Sequence, residues 1–278
     1  NPTLNINRSF GFFNPKIGYQ YNKNGWQHYA SFSIGQKEPN REDFEAGTTT
    51  QPKKEQLQDL EIGLEKRNKK SSFGATIYYM HYTDQLVLTG KINDVGAYTR
   101  MNVPNSYRLG LELTYAVAIT NKLQWSSNVT LSRNKIKSFT EYLDNYDTGN
   151  QDAITRNNTD IAFSPNFIAA STFTYKPTSK LNIELQSKWV GKQYLDNSSL
   201  QERSLDAFTN HDISASYQFA KKENRSFLLT ARTNNITNSK YVPNGYSYAY
   251  VYGGETITEN GYYPAATLHY LIGIEVKF

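Results

Sequence analysis

The chain has 278 residues, of which 38% are hydrophobic, 14% aromatic and 20% charged, and this composition excludes a disordered polar polymer. The mean hydropathy is −0.67 and no apolar stretch approaches the roughly 18 residues that a membrane-spanning helix needs, so a helical membrane protein is excluded as well. The 30 basic and 25 acidic residues form a mixed surface rather than a nucleic-acid patch, and the absence of cysteine excludes disulfides, thiolate metal sites and cysteine nucleophiles.

Alternation of apolar and polar residues runs through most of the chain. It is clearest at 107–117 and 268–278, where every second residue is apolar. Helical periodicity is hard to find, and Gly, Asn, Pro and Ser mark the boundaries between segments. The pattern therefore predicts an all-β chain. In chain order, the eleven predicted strands are 15–21, 27–36, 56–65, 72–84, 107–118, 123–136, 167–176, 180–190, 211–219, 225–235 and 266–278.

The connections between these strands alternate between two classes. The short turns are 22–26, 66–71, 119–122, 177–179 and 220–224. The long segments are 37–55, 85–106, 137–166, 191–210 and 236–265. Outer-membrane barrels have short turns on the periplasmic side and long loops outside, whereas sandwiches and propellers mix their loop lengths. Because the strands are also close to the roughly 9–11 residues that cross a bilayer, we predict an antiparallel transmembrane β-barrel.

The predicted strands have one apolar and one polar face. On strand 123–136 the polar face carries Gln124, Ser126 and Asn128, as expected for a wet lumen. Aromatic residues near strand ends fit interfacial girdles, and ordinary sheet aromatics are the alternative. These aromatics are Tyr19, Tyr21, Trp125, Tyr175, Trp189, Tyr217 and Phe219. The short turns are rich in Lys and Arg, so most acids lie in the long segments or the lumen.

Four stretches together resemble the barrel of TonB-dependent outer-membrane receptors. They are Gly35 to Phe44 (GQKEPNREDF), Leu57 to Leu64, Asn234 to Tyr241 (NNITNSKY), and Tyr262 to Ala265 leading into Gly273 to Phe278. No single stretch is specific, but their order and spacing cover nearly the whole chain. The chain is thus similar to the C-terminal half of such a barrel.

The resemblance implies about 11 strands of a barrel with about 22 strands and a plugged lumen. Residues 1–278 would then be the C-terminal portion of the barrel domain, with the plug and the first barrel half outside this chain. It also implies an outer-membrane receptor that imports a scarce nutrient with TonB-transduced energy, and an iron chelate is favoured over a glycan. The implied partners are the TonB complex, the barrel-assembly machinery, membrane lipid and a small ligand, with no cofactor, no nucleic acid and no enzymatic activity.

Tyrosines in the last long segment are the richest candidates for ligand binding. Tyr246, Tyr248, Tyr250 and Tyr252 alternate, so an extended strand would present four rings on one side, suited to stacking on a chelate or sugar. The alternative is an ordered hairpin that extends beyond the membrane. Arg100 and Arg156 lie in other long segments and could bind an anion, with solvated loop arginines as the alternative.

Two further sets of residues follow from the predicted faces. The lumen set, expected to contact the plug or alternatively to line an open pore, is Arg108, Glu112, Glu184, Lys188, His269 and Glu275. The last strand resembles the signal read by the barrel-assembly machinery, which would include Tyr270, Ile272, Ile274, Val276 and Phe278. The histidines show no closely spaced pair, so no metal site is predicted.

Two other classes of protein stay open at this point. A complete small outer-membrane barrel, acting as an enzyme or porin, would need an even number of strands and, for an enzyme, a convergent catalytic group near one rim. A soluble β module would bury its apolar faces in a core. The regular alternation of short and long connections argues against the soluble module.

Overall fold

The computed structural model describes residues 7–46, 51–92, 98–222 and 225–277, and strands dominate it. The strands are β1 (Lys16–Lys23), β2 (Trp26–Lys37), β3 (Glu55–Arg67), β4 (Ser71–Ile92), β5 (Tyr98–Ala118), β6 (Leu123–Asn145), β7 (Asn150–Asp160), β8 (Phe167–Thr178), β9 (Leu181–Val190), β10 (Gln193–Tyr194), β11 (Ser204–Leu205), β12 (Phe208–Lys222), β13 (Arg225–Asn234), β14 (Asn244–Tyr252), β15 (Glu255–Tyr263) and β16 (His269–Lys277). A short helix α1 (Arg41–Ala46) follows β2, and a 3-10 turn (Gln201–Arg203) precedes β11. No helix in the described residues is long and apolar enough to span a membrane.

One antiparallel sheet forms the body of the structure. Its order is β1-β2-β3-β4-β5-β6-β8-β9-β12-β13-β16, so the eleven predicted strands are all present and neighbours in the chain are neighbours in the sheet. Within the described ranges no pairing joins β1 to β16. The sheet is a partial barrel wall, and the predicted fold class is confirmed.

Four long segments contain strands that the sequence pattern did not predict, and one of them is 191–210, where β10 pairs with β11. Strands β4 and β5 continue to pair beyond the predicted end at Asp84, and β6 continues into a hairpin with β7. The alternation fails there because Gln85, Leu86 and Val87 are all buried in succession. The segment 236–265 contains the hairpin β14–β15.

The sheet has an apolar face that no part of the described chain covers. Residues paired across strands share a face, so Ile62, Ile77, Leu111 and Leu131 form one apolar row. Ile77 is 57% exposed, as no core residue would be. The buried cluster lies instead at the long-loop end, on the outer parts of β4, β5 and β6 and the segment after β7. Its members are Val87, Val103, Ile136, Phe139 and Ile161.

Turn geometry at the two ends of the sheet follows from a few residues. The β1–β2 turn uses Asn24 and Gly25, both with positive φ (50° and 75°), as a tight two-residue hairpin requires. The β14–β15 turn uses Gly253 and Gly254 in the same way. Both hairpins therefore have a fixed register.

Candidate functional site

The hairpin β14–β15 places the four predicted tyrosines on one face. Tyr246, Tyr248 and Tyr250 are half-buried, whereas Tyr252 is 62% exposed. On the opposite face of β14, Ser247 and Ala249 are buried. We call Tyr246, Tyr248, Tyr250 and Tyr252 the tyrosine row. The tyrosine row therefore lies on the face of β14 opposite to these buried residues.

The tip of β6 holds the hairpin in place. Tyr250 and Val251 of β14 pair in parallel with the end of β6, an arrangement without a signal in the sequence. The Asp147 carboxylate accepts hydrogen bonds from the backbone N–H groups of Gly253 and Gly254, both at 2.8 Å. The N–H groups of Gly254 and Gly253 hold the pKa of Asp147 below its usual value, so the carboxylate stays ionised at neutral pH.

Tyr146, from the β6–β7 turn, joins the tyrosine row. Its hydroxyl lies 3.0 Å from the hydroxyl of Tyr248, which in turn donates to the carboxylate of Asp144 at 3.2 Å. The hydrogen bond with Tyr146, burial and the charge of Asp144 raise the pKa of Tyr248. Tyr250 packs edge-on against Tyr146 and donates to Glu259 at 3.0 Å, which raises the pKa of Tyr250. Tyr248 and Tyr250 are thus neutral, oriented and partly accessible.

Tyr246 differs from the rest of the row. It lies directly opposite Gly261 in the β14–β15 register, and its ring covers that glycine so closely that a Cβ there would collide with it. Its ring also contacts Tyr263, at 6.0 Å between centroids. Tyr246 therefore stabilises the hairpin, and the accessible part of the row is Tyr248, Tyr250 and Tyr252.

The structure places the two predicted loop arginines in ion pairs, apart from each other. Arg100 Nε lies 2.8 Å from Asp43 Oδ1, and Asp43 exchanges hydrogen bonds with Asn40 at the start of α1. Arg156 lies 2.7 Å from Glu141 across the β6–β7 hairpin. Each arginine is about one-fifth exposed at its side chain, so their contribution to ligand binding stays a prediction.

A buried ionic cluster joins two long segments, 137–166 and 191–210, and sequence reasoning missed it. Arg203 is 1% exposed and donates to Glu141 at 2.5 Å and to Asp196 at 2.9 Å, while Arg156 pairs with the same Glu141. Nη1 of Arg203 therefore serves two carboxylates. We call Arg203, Glu141, Asp196 and Arg156 the arginine cluster.

Asn197 follows Asp196 of the arginine cluster and forms hydrogen bonds with two other long segments. It accepts from the backbone of Ala162 at 2.9 Å and donates to the carbonyl of Leu88 at 2.6 Å. The hydrogen bonds of Asn197 thus connect the tip of β4 to the segment that follows β7. The long loops form one packed layer.

The predicted lumen residues lie on the polar face of the sheet. Glu112 is in register with Thr76 and Thr130, and Arg108 donates to Ser164 at 3.0 Å. Glu184 accepts from Asn182, and His269 lies 3.0 Å from the amide of Asn234. Lys188 and Glu275 alternate with apolar residues of β9 and β16 and so share this face.

A cleft of about 460 Å³ opens on this polar face below the segment 161–166. It is lined by Glu61, Tyr78, Arg108, Glu112, Asn134 and Ser164 among others. Tyr29 and Tyr78 lie flat over Gly63 and Gly110 on the neighbouring strands, which keeps their rings against the wall. The wall therefore offers mixed charges and hydroxyl groups around an open space.

On the opposite face of β16 lie the residues predicted as an assembly signal. Tyr270, Ile272 and Ile274 are about 70% exposed, and Val276 is 38% exposed. Phe278 lies outside the described residues. Within the described ranges, no three His, Asp or Glu side chains converge as a metal site would need.

Three features together define the wall of an outer-membrane type of β-barrel. They are the uncovered apolar face, the polar face with its cleft, and the contrast between short turns and long loops that contact one another. The family described as TonB dependent receptor-like, beta-barrel matches residues 1–238, and the chain belongs to the TonB-dependent receptor family. Members of this family are β-barrel proteins of the bacterial outer membrane, so the predicted family and location are confirmed.

Solved structures show the same fold. The ferric-catecholate import receptor Fiu of E. coli K12 has a TM-score of 0.63 at 16% identity, over 94% of this chain and 34% of its own. The match to the ferric enterobactin receptor PfeA of Pseudomonas aeruginosa has a TM-score of 0.63 at 17% identity and covers 95% of this chain and 40% of PfeA. The match to the copper transporter OprC has a TM-score of 0.67 at 14% identity and covers 94% of this chain and 39% of OprC. The chain thus spans well under half of each structure. No curated protein sequence matches it significantly.

Proposed function

We propose that this chain forms part of an active-transport receptor that binds a scarce nutrient outside the cell and imports it with TonB-transduced energy. The nutrient that we propose is an iron chelate of the siderophore type. The observation that carries the proposal is the tyrosine row, which a braced outer sheet holds partly exposed on the long-loop side. The import functions named for Fiu and PfeA support this class of nutrient.

Binding would take place at Tyr248, Tyr250 and Tyr252. Their faces supply apolar area and their hydroxyls supply hydrogen bonds, the combination that suits a chelate with planar or ring-shaped parts. Because the hydrogen bonds to Asp144 and Glu259 already fix Tyr248 and Tyr250, little side-chain entropy remains to be lost when a ligand binds. Arg100 and Arg156 would add charge only if a ligand competes for their carboxylate partners.

The polar face would hold the plug. Arg108, Glu112, Glu184 and Lys188 offer donors and acceptors of both charges around an open cleft, as expected where a removable domain is hydrogen-bonded rather than packed. His269 and Glu275 extend the same surface to β16. An ionic and hydrogen-bonded contact of this kind can be released by a mechanical pull.

We further propose the partners that such a receptor needs. TonB would bind a region N-terminal to this chain, and the barrel-assembly machinery would read β16 through Tyr270, Ile272, Ile274, Val276 and Phe278. Membrane lipid would cover the apolar face. We propose no catalytic role and no nucleic-acid partner for the chain.

An uptake measurement tests the function. Cells that lack the receptor are complemented with the complete natural gene, and uptake of ferric catecholate and ferric hydroxamate chelates labelled with radioactive iron is measured with and without TonB. We expect TonB-dependent uptake of one chelate, and roughly a tenfold weaker apparent affinity in a Y248A/Y250A variant because two stacking rings are lost.

The matched control is Y217A, since Tyr217 is a 42% exposed tyrosine near the short-turn end of β12. Surface levels of each variant are measured by immunodetection on intact cells. Uptake that persists without TonB, or an equal loss in Y217A, would contradict the proposal.

A further inference from the structure

The edge of the sheet formed by the short turns is strongly basic. Its described cations are Lys23, Lys66, Arg67, Lys69, Lys70, Lys122, Lys176 and Lys180. None of the described residues of these turns is acidic, and Glu65, just before the turn 66–71, already pairs with Arg67. The opposite edge differs, because Arg100, Arg156 and Arg203 all have carboxylate partners there. Transport through the lumen gives no reason for this contrast.

Aromatic residues fix the depth of these cations. On the apolar face, near the short-turn ends of the strands, lies a row of rings that are each 37–47% exposed. They are Tyr21, Trp26, Phe73, Tyr115, Phe173, Tyr175, Tyr217 and Phe219. Such a girdle marks the boundary between hydrocarbon and headgroups. The lysines lie within a few residues of it on the water side, at the level of lipid phosphates.

The best-formed part of this edge surrounds Trp26. Lys23 and Lys66 are both in register with Trp26, so all three side chains belong to the outer face. Lys66 Nζ lies 5.2 Å from the centre of the Trp26 ring and donates to the carbonyl of Asn24 at 2.6 Å. An ammonium group has three N–H donors, so this contact orients Lys66 while leaving donors for a phosphate.

We propose that this edge binds the phosphate groups of anionic phospholipids in the adjacent leaflet, with Lys23, Trp26 and Lys66 as its main subsite. A lipid is favoured over an acidic protein because the subsite continues the apolar face, where only a lipid offers acyl chains and a phosphate together. The proposal does not depend on what the receptor transports.

A lipid competition experiment tests this site. The complete natural receptor is purified in detergent and delipidated, then mixed with equal amounts of phosphatidylglycerol and phosphatidylcholine with the same acyl chains. Bound lipids are counted by native mass spectrometry. We expect a preference for phosphatidylglycerol that weakens roughly fivefold for each lysine removed in K23Q and K23Q/K66Q, and that K23R/K66R retains.

The control removes two lysines from the other end of the sheet, in K53Q/K54Q, since Lys53 is 67% exposed at its side chain. Equal binding of both lipids by the wild type would overturn the proposal. So would an equal loss in K53Q/K54Q, which would mean a net-charge effect, or an unchanged preference in K23Q/K66Q. If that variant does not assemble, the wild type decides: about 0.5 M salt must abolish the preference, because exposed lysine–phosphate contacts are screened.

Discussion

Three tyrosine rings lie flat over glycines on the neighbouring strand. These pairs are Tyr29 over Gly63, Tyr78 over Gly110 and Tyr246 over Gly261. A ring in this position replaces the side chain that glycine lacks and pins the register of the two strands. On the polar face it has a second effect, because a flat ring leaves the lumen open where an upright one would fill it.

Replacing Gly110 should show both effects. A Cβ at residue 110 would collide with the Tyr78 ring, so we expect G110A to lower the free energy of unfolding by about 1–3 kcal/mol as the ring is displaced into the cleft. The measurement is denaturant unfolding of the complete receptor in detergent. The control is G35A in β2, where a Cβ would meet nothing within 4 Å. Equal stability of G110A and G35A would show that the ring moves without cost.

The residue pairs could not be predicted from the sequence. Alternation places Tyr78 and Gly110 on the polar face, but which tyrosine lies opposite which glycine depends on the register between β4 and β5. A shift of one residue would reverse both faces, and nothing local to either strand excludes a shift of two. The tyrosine row was predictable because its four tyrosines alternate within a single strand, so no register between strands is needed to place them on one face.

At the scale of elements, the short turns and the long segments are held in place by different kinds of contact. The two-residue β1–β2 turn needs only Asn24 and Gly25. The long segments instead form hairpins that contact one another through Asp147 and through the arginine cluster. The eleven strands of the main sheet were predictable from alternation. The contacts between the long segments were not, because Glu141 and Arg203 are 62 residues apart and neither belongs to a recognisable motif.

Arg203 contacts residues of several long segments at once. We expect R203M to raise the hydrogen-exchange rate of the hairpins β6–β7 and β14–β15, with a local destabilisation of about 3–5 kcal/mol, because the buried Asp196 loses its ion-pair partner and Glu141 keeps only Arg156. The matched variant is R232M, since Arg232 pairs with Asp212 but is 49% exposed at its side chain, so its loss should cost about 0–1 kcal/mol.

The exchange measurement also reports on ligand binding. If R203M loosens both hairpins, it should weaken chelate uptake without touching the tyrosine row, because the row would no longer be held in one arrangement. Unchanged exchange in R203M would mean that Asp147 and the backbone pairing of β14 with β6 suffice to hold the outer layer.

At the scale of the whole molecule, the sheet exposes its apolar face instead of burying it in a core. The apolar row through Ile62 and Ile77 is exposed, the opposite face carries charges, and the buried cluster around Val103 and Ile136 lies at the long-loop end rather than in the middle of the sheet. A bilayer explains all three, since lipid replaces the missing core around the strands while the loops must build a core of their own in water.

Arginine at two neighbouring sites tests which face meets lipid. Ile77 lies on the apolar face of β4 between Phe73 and Tyr79, and Thr130 belongs to the same level of the polar face, in register with Glu112. We expect I77R to cost about 2–4 kcal/mol when the complete receptor is refolded into vesicles, because the charge must enter hydrocarbon. T130R should be tolerated, since the lumen is wet and Glu112 can pair with the new cation. A larger cost for T130R than for I77R would mean that the polar face meets lipid, and it would refute the assignment of the faces.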